Sequence, residues 1–445
     1  MTAIEQLGRH VAGGTPPSGA AREMVELHLI DTVGAWIAST STAEGQSLLR
    51  FRAAVAQAGD ALAHDLATRC ALTRLSEIDD IHLPSMTTPG SIVIPAALTL
   101  AAATATADDV TAAILAGYEA MTRLGRAIDG PTVLYRGIWP TYFAAPFGVA
   151  AVAARMLGLN DQQAANALAL ALTFSAPGVG HHNAATTSRW FAVGNAARNG
   201  LIAAQAAQQG FTSDLKLLEG NFLSGIYGVT PDIIALTDGL GERSVLSEVS
   251  FKPWCAARQT MAATQALKEI IESGVTPAEM SSIEVSVLPP QLKMIDHGVI
   301  AGDRASHLTS LPYCMAVAAV APDLAFDVGQ SPPDLPEDVR TFMDGIKVAA
   351  DDGLLADYPR TWPARVAVTT GSTRHERLVT HVPGDPARPF DRACAREKFL
   401  RFVGPTIGKS KGEQILARCS DALAGGQYSS LVKEIEDARA ATSDQ

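Results

Sequence analysis

Apolar positions recur every three to four residues through the first half of the chain. In AREMVELHLIDTVGAWIAS (21–39), Met24, Leu27, Ile30, Val33 and Trp36 mark one helical face. SIVIPAALTLAAATA (91–105), DDVTAAILAGYEAMTRLGRAI (108–128), DQQAANALALALTFSA (161–176) and AARNGLIAAQAAQQGFTS (196–213) continue the pattern. Asp108–Asp109 and Asn160–Asp161 stand where a helix N-terminus favours negative charge, and Gly210 supplies a stop. Small residues recur along these segments, so their backbones can pack closely and an all-helical body is expected. Past residue 245 the texture changes. SSIEVSVLPP (281–290) and PARVAVTTGS (363–372) alternate apolar and polar positions with β-branched enrichment, which predicts strands. PYCMAVAAVAPD (312–323) and PEDVRTFMDGIKVA (336–349) read as helix, and HVPGDPARPFD (381–391) as a loop. RACAREKFLRFV (392–403) and GEQILARCSDAL (412–423) return to helix. The expected fold is mainly α. A large all-helical domain is built from both chain ends (1–245 and 393–445), with a smaller inserted α+β lid domain at 246–392.

A length of 445 residues agrees with two domains. The 35 basic and 46 acidic residues leave a net charge of −11, which argues against nucleic acid as a partner. An anionic small molecule remains compatible, since a few cations can cluster inside an acidic protein. Five scattered cysteines without a CxxC predict reduced thiols in a cytoplasmic protein, with no disulfide frame and no zinc site. The N-terminus shows no apolar signal-peptide core. The uncharged stretch 137–154 is marginal in length, alanine-rich and interrupted by Pro140 and Pro146. It reads as a loop entering a buried helix, and no membrane span is expected.

No phosphate loop, HExxH or GxSxG elbow is present, and GLGERS (239–244) lacks the full dinucleotide fingerprint, so neither cofactor nor metal is expected. Chemistry concentrates elsewhere. EIDDIH (77–82) brings Glu77, Asp79, Asp80 and His82 together. Three readings stay open for it: a capped helix end, an acid/base or loop-ordering element, or a divalent-metal cradle. GHHNAATTSRW (180–190) adds His181 and His182, of which at most one points into a given pocket, and Arg189, whose planar fork suits a carboxylate. FKPWCAARQT (251–260) sets Lys252 and Arg258 beside Cys255, a pairing better suited to anion binding than to a cysteine nucleophile. Tyr313, in SLPYC, offers a phenol for proton transfer or for a structural hydrogen bond.

The order of these segments resembles the MmgE/PrpD family, which includes 2-methylcitrate dehydratase, cis-aconitate decarboxylase and iminodisuccinate epimerase. IDTVGAWIA, EIDD…TPGSIVIPA, GYEAMTRLGRAI, GIWPTYFAAPFGVAAVAARMLGL, GNAARNGLIAAQAAQQGFT, SLPYCMAVA and VPGDPARPF…REKF carry the likeness across most of the chain. The resemblance implies a homodimer and cofactor-independent proton chemistry next to carboxylates. On it, Glu77 stands for the first acid of D-x-D-D, and Asp79, Asp80 and Tyr313 are retained. Family histidines fall on Thr88, Trp139, Ala192 and Gln259, and a family lysine on Arg189. Threonine, tryptophan and glutamine do not transfer protons near neutrality. The expectation is therefore an isomerase or lyase with an altered site, acting on a carboxylate or carbonyl compound. His82 or His181 would be base, Tyr313 acid, Arg189 and Lys252 the anion holders, with Glu77, Asp79, Asp80, Thr88, Trp139, Arg258 and Gln259 lining the site. The alternative is a non-catalytic small-molecule binding protein or partner subunit.

Overall fold

The computed structural model of the chain describes residues 1–13, 17–56, 59–101, 105–176 and 186–443. It is mainly helical, with one small four-stranded sheet. Two compact units divide the chain. The first, the helical unit, takes residues 1–180, 186–249 and 391–445, and the second, the mixed unit, is chiefly Ser250–Phe390.

In the helical unit, four long helices pack in series: Ala107–Ala127 on Pro140–Met156, that helix on Ser188–Gln208, and the last on Ala61–Leu75. Alanine and glycine recur among their buried positions, which costs little side-chain entropy and permits short interaxial distances. Gly200 shows how close the approach is, since an added Cβ would stand 2.3 Å from the carbonyl oxygen of Pro146. The stretch 140–156 is a wholly buried helix but for its last two residues, and no described helix is long and apolar enough to cross a membrane. Thr106 and Asp109 form a reciprocal capping box at the start of Ala107–Ala127, and Asn160 with Gln163 does the same for Asp161–Thr173. The returning helix Arg392–Ile407 packs along Gly19–Ser39. There Lys398 is buried against the carboxylate of Asp31 and donates to the carbonyl of Ile78 at 2.7 Å. Burial pushes the Asp31 carboxyl up to about 6, against the pull of the Lys398 ammonium.

The mixed unit holds strands β1 (Ser282–Val287), β2 (Ile346–Ala350), β3 (Ala364–Thr370) and β4 (Thr373–Val379) in the order β2-β1-β3-β4. β1 runs parallel to β2 and antiparallel to β3, and β3 and β4 form a hairpin around Gly371 and Ser372. Helix Arg258–Glu272 covers β3 and β4. Two strands depart from the sequence pattern. The segment 336–349, expected to be one helix, stops at Asp344, and IKVAA continues as β2. β4, TRHERLV, is a mostly exposed edge strand, and its charged side chains hide the alternation that marks a half-buried strand. The unit's chain ends are tied together: Phe251 stacks on Phe390 at 5.6 Å, and its N–H donates to the carbonyl of Gly384 at 2.9 Å.

One close approach fixes the segment that matters for function. Helix Gly90–Leu100 begins against the buried Asp80, whose Oδ1 accepts the Gly90 N–H at 2.8 Å. A Cβ at residue 90 would meet the Asp80 carboxylate at 2.6–2.8 Å. Gly90→Ala should therefore destabilise the protein by about 1–3 kcal/mol, the usual cost of forcing atoms into a filled site. Gly404→Ala, in open space within a helix, should instead be neutral or gain up to about 1 kcal/mol. Urea denaturation of the two variants followed by circular dichroism checks this, and equal midpoints would contradict it.

Candidate active site

EIDDIH is not one cradle. Its side chains part in three directions, all within the helical unit. Glu77 adopts a left-handed backbone, φ 58°, immediately after helix Ala61–Leu75 and its Ser76 cap. That turn brings its carboxylate to 3.0 Å from Arg74 Nη1, which also lies 3.3 Å from Asp79 Oδ1. Burial opposes the Arg74 charge, but Asp79 and Glu77 more than offset it and raise its pKa above the ordinary arginine value.

Asp80 points elsewhere. Its Oδ2 accepts from His28 Nδ1 at 2.8 Å and from the Tyr118 hydroxyl at 2.6 Å, while Oδ1 holds Gly90. Burial and the neighbouring Asp80 push the Tyr118 phenol well above its usual pKa, so it serves as a donor. The carboxylate also faces the start of a helix, where negative charge is favoured.

His82 takes the third direction and is fully buried. Nδ1 lies 2.8 Å from Ser85 Oγ and Nε2 3.3 Å from Glu248 Oε2, while its backbone N–H donates to Thr87 at 2.8 Å. Both ring nitrogens are thus engaged, and the residue clasps the turn 82–87. Burial lowers its pKa below the histidine norm, with Glu248 opposing.

A second cluster of candidates gathers at the start of helix Pro140–Met156. Trp139 precedes that helix and meets Tyr142 edge-on at 5.6 Å between ring centroids. The Arg189 guanidinium lies over Trp139 at 5.3 Å and over Trp190 at 5.7 Å, and Arg74 lies over Trp190 at 5.9 Å. Two cations are thereby held against indole faces in a buried place. Thr88 joins the same helix start, its N–H donating to Thr141 Oγ1 at 3.0 Å. Tyr142 OH and Trp139 Nε1, like Arg74 Nε, are buried donors here with no hydrogen-bond partner among the described residues. Burial pushes the Tyr142 phenol up to about 12, with Arg74 and Arg189 pulling it back. Arg74 and Tyr142 escaped the sequence reading. Their only signals were spacing: Arg74 three positions before Glu77, and Tyr142 three after Trp139.

Other candidates belong to the mixed unit. Lys252 is buried there. Arg258 Nη2 binds both oxygens of Asp385, at 2.9 and 2.7 Å, and its guanidinium lies 5.8 Å from the Trp362 ring. Gln259 Nε2 sits 3.7 Å from Met294 Sδ, and the Tyr313 hydroxyl donates to Gln330 Oε1 at 2.9 Å. His181 and His182 lie outside the described residues.

The MmgE/PrpD N-terminal domain matches residues 5–231 and the MmgE/PrpD C-terminal domain residues 254–422. The chain belongs to the MmgE/PrpD family. Its Glu77–Asp80 segment and its Trp139 turn both lie within the N-terminal match. Two curated relatives are each named cis-aconitate decarboxylase, from Aspergillus terreus and from its strain NIH 2624 / FGSC A1156. Each is 30% identical over 163 residues, 35% of this chain and 33% of the relative. The match thus spans about a third of those relatives' length.

The His82 geometry has a pH signature. Unfolding releases the imidazole to its ordinary pKa near 6.5, so the unfolded chain takes up a proton that the folded one resists. Stability is therefore present above pH of about 6.5 and lost as pH falls below it. The lowered His10 and His307 act in the same direction. His82→Gln should make the stability–pH slope between about pH 7 and pH 5 shallower without abolishing it, as read from urea titrations. An unchanged slope would contradict a depressed, buried His82.

Proposed function

We propose that this MmgE/PrpD protein is a cofactor-independent lyase or isomerase that moves a proton alpha to a carboxylate or carbonyl. The reading rests above all on the unpartnered buried donors Tyr142 OH and Trp139 Nε1, beside the Arg189 cation. A buried polar group without a partner costs about 1–3 kcal/mol, a cost relieved when a ligand supplies acceptor oxygens. Arg189 would hold the substrate anion. Glu77, the least buried acid of its segment, would take the α-proton through a carboxylate oxygen. The C–H electron pair then passes to the adjacent carbonyl, and the resulting enolate oxygen accepts from Tyr142 and Trp139. Return of the proton to carbon gives isomerisation or epimerisation; elimination follows when the enolate pair forms the Cα–Cβ double bond as the β-substituent leaves with its bonding pair and takes the proton from Glu77.

In this scheme His82 is a positioning residue that clasps the turn leading to Thr88. Tyr313 is assigned no step. On the family resemblance and the scattered thiols, the protein would work as a cytoplasmic homodimer. A second reading, ligand binding without turnover, is favoured by the enclosure of His82, which removes a histidine base from the described site.

Solvent-deuterium incorporation, followed by NMR across a panel of carboxylates and ketones, tests the reading. Wild type should exchange α-protons of at least one compound, Tyr142→Phe should exchange about 10²–10³-fold more slowly, and Arg189→Ala should mainly weaken binding. Binding without exchange in every case would overturn catalysis and support the second reading.

A further inference from the structure

We propose that the mixed unit carries a binding site for a short straight-chain aliphatic carboxylate. It lies between the loop carrying Trp254 and the helices Arg258–Glu272 and Leu311–Val320. The space is narrow: about 450 Å³ counts the open solvent at its mouth, and about 40 Å³ of it takes the centre of a water-sized sphere. Its walls are mostly carbon, from Val317, Ala318, Pro322 and Phe326 among others. A narrow apolar slot suits a methylene chain better than a ring or a dicarboxylate.

The wall's polar groups decide the head group. Tyr313 and Gln330 are bonded to each other at 2.9 Å, and Thr264 Oγ1 donates to its own helix at Thr260, 2.9 Å away. Trp254 is different: the residue lines the pocket, and its indole N–H is buried without a hydrogen-bond partner among the described residues. The Lys268 ammonium stands 4.8 Å from the centre of that same indole ring. An ammonium carries three donors, so it can serve an incoming oxygen beside any contact it already makes. One donor and one positive charge at a single indole call for an acceptor that is also an anion, and the carbon walls call for an alkyl tail. The site does not depend on the proton-transfer scheme, because none of its lining residues is given a step there.

Isothermal titration with hexanoate and 1-hexanol tests the site on the full-length protein. Hexanoate should bind, and hexanol about tenfold more weakly, the difference expected of one charge-assisted contact. Lys268→Met should erase that difference while leaving the hexanol affinity in place. Ala318→Phe, which fills the half-buried pocket wall, should abolish binding of both, with an unchanged thermal melt showing that the variant folds. Failure of hexanoate to bind, equal affinity for the two probes, or hexanoate binding unaltered by Lys268→Met would each overturn the proposal. Deuterium exchange at the helical unit's site is a separate readout, so loss of one activity does not imply loss of the other.

Discussion

The helical unit turns on one buried carboxylate. Asp80 sits between three donors: the His28 imidazole, the Tyr118 hydroxyl and the Gly90 amide. Each comes from a different helix, Gly19–Ser39, Ala107–Ala127 and Gly90–Leu100, so a single side chain pins three elements that are far apart in sequence. A buried carboxyl group is tolerated in a protein interior when hydrogen bonds replace the water it has lost. Breaking such an arrangement by removing one partner costs about 3–5 kcal/mol, a large part of a protein's net stability. Gly90 is required because no other residue lets the helix start this close to Asp80.

With Asp80 fixed, its neighbours have little freedom. The chain reaches it through Glu77 in a left-handed conformation and leaves it through the turn that His82 clasps. Left-handed geometry at a non-glycine residue is unfavourable and persists only where the surroundings enforce it. Here the enforcing contacts are Arg74 on one side and the Asp80 knot on the other. The outcome separates an acid committed to structure from acids placed at the candidate site. Asp80 is consumed in holding helices, whereas Glu77 and Asp79 are delivered beside a guanidinium near two unpartnered donors. Two arginines are kept in place by indole faces, so their charge is positioned before any ligand arrives. Preorganised charge of this kind stabilises developing negative charge without reorganisation during the reaction.

Helices were legible because their signals are local. The three-to-four spacing of 21–39 and the capping pairs near 106 and 160 act within a few residues. β1 and β3 were legible for the same reason, since each alternates and has a buried face. β2 and β4 were not: β2 owes its identity to pairing with β1, more than fifty residues earlier, and β4 is an exposed edge strand whose charged side chains hide its alternation. The site shows the same limit. EIDDIH advertised a dense acidic cluster, but nothing in six letters tells that Asp80 will find His28 and Tyr118, 52 and 38 residues away. His82 looked reactive by type and is fully enclosed in space. Tyr142 looked like one more aromatic in an apolar run, and only burial without a partner sets it apart.

Hydrogen exchange followed by mass spectrometry, over peptides spanning 76–91, tests the Asp80 knot most directly. If Asp80 ties its three partners as described, this loop-rich segment exchanges as slowly as the buried helix Pro140–Met156, and Asp80→Asn speeds the loop far more than that helix. Wild-type exchange at the rate of an unprotected loop, unaltered by Asp80→Asn, would contradict the account.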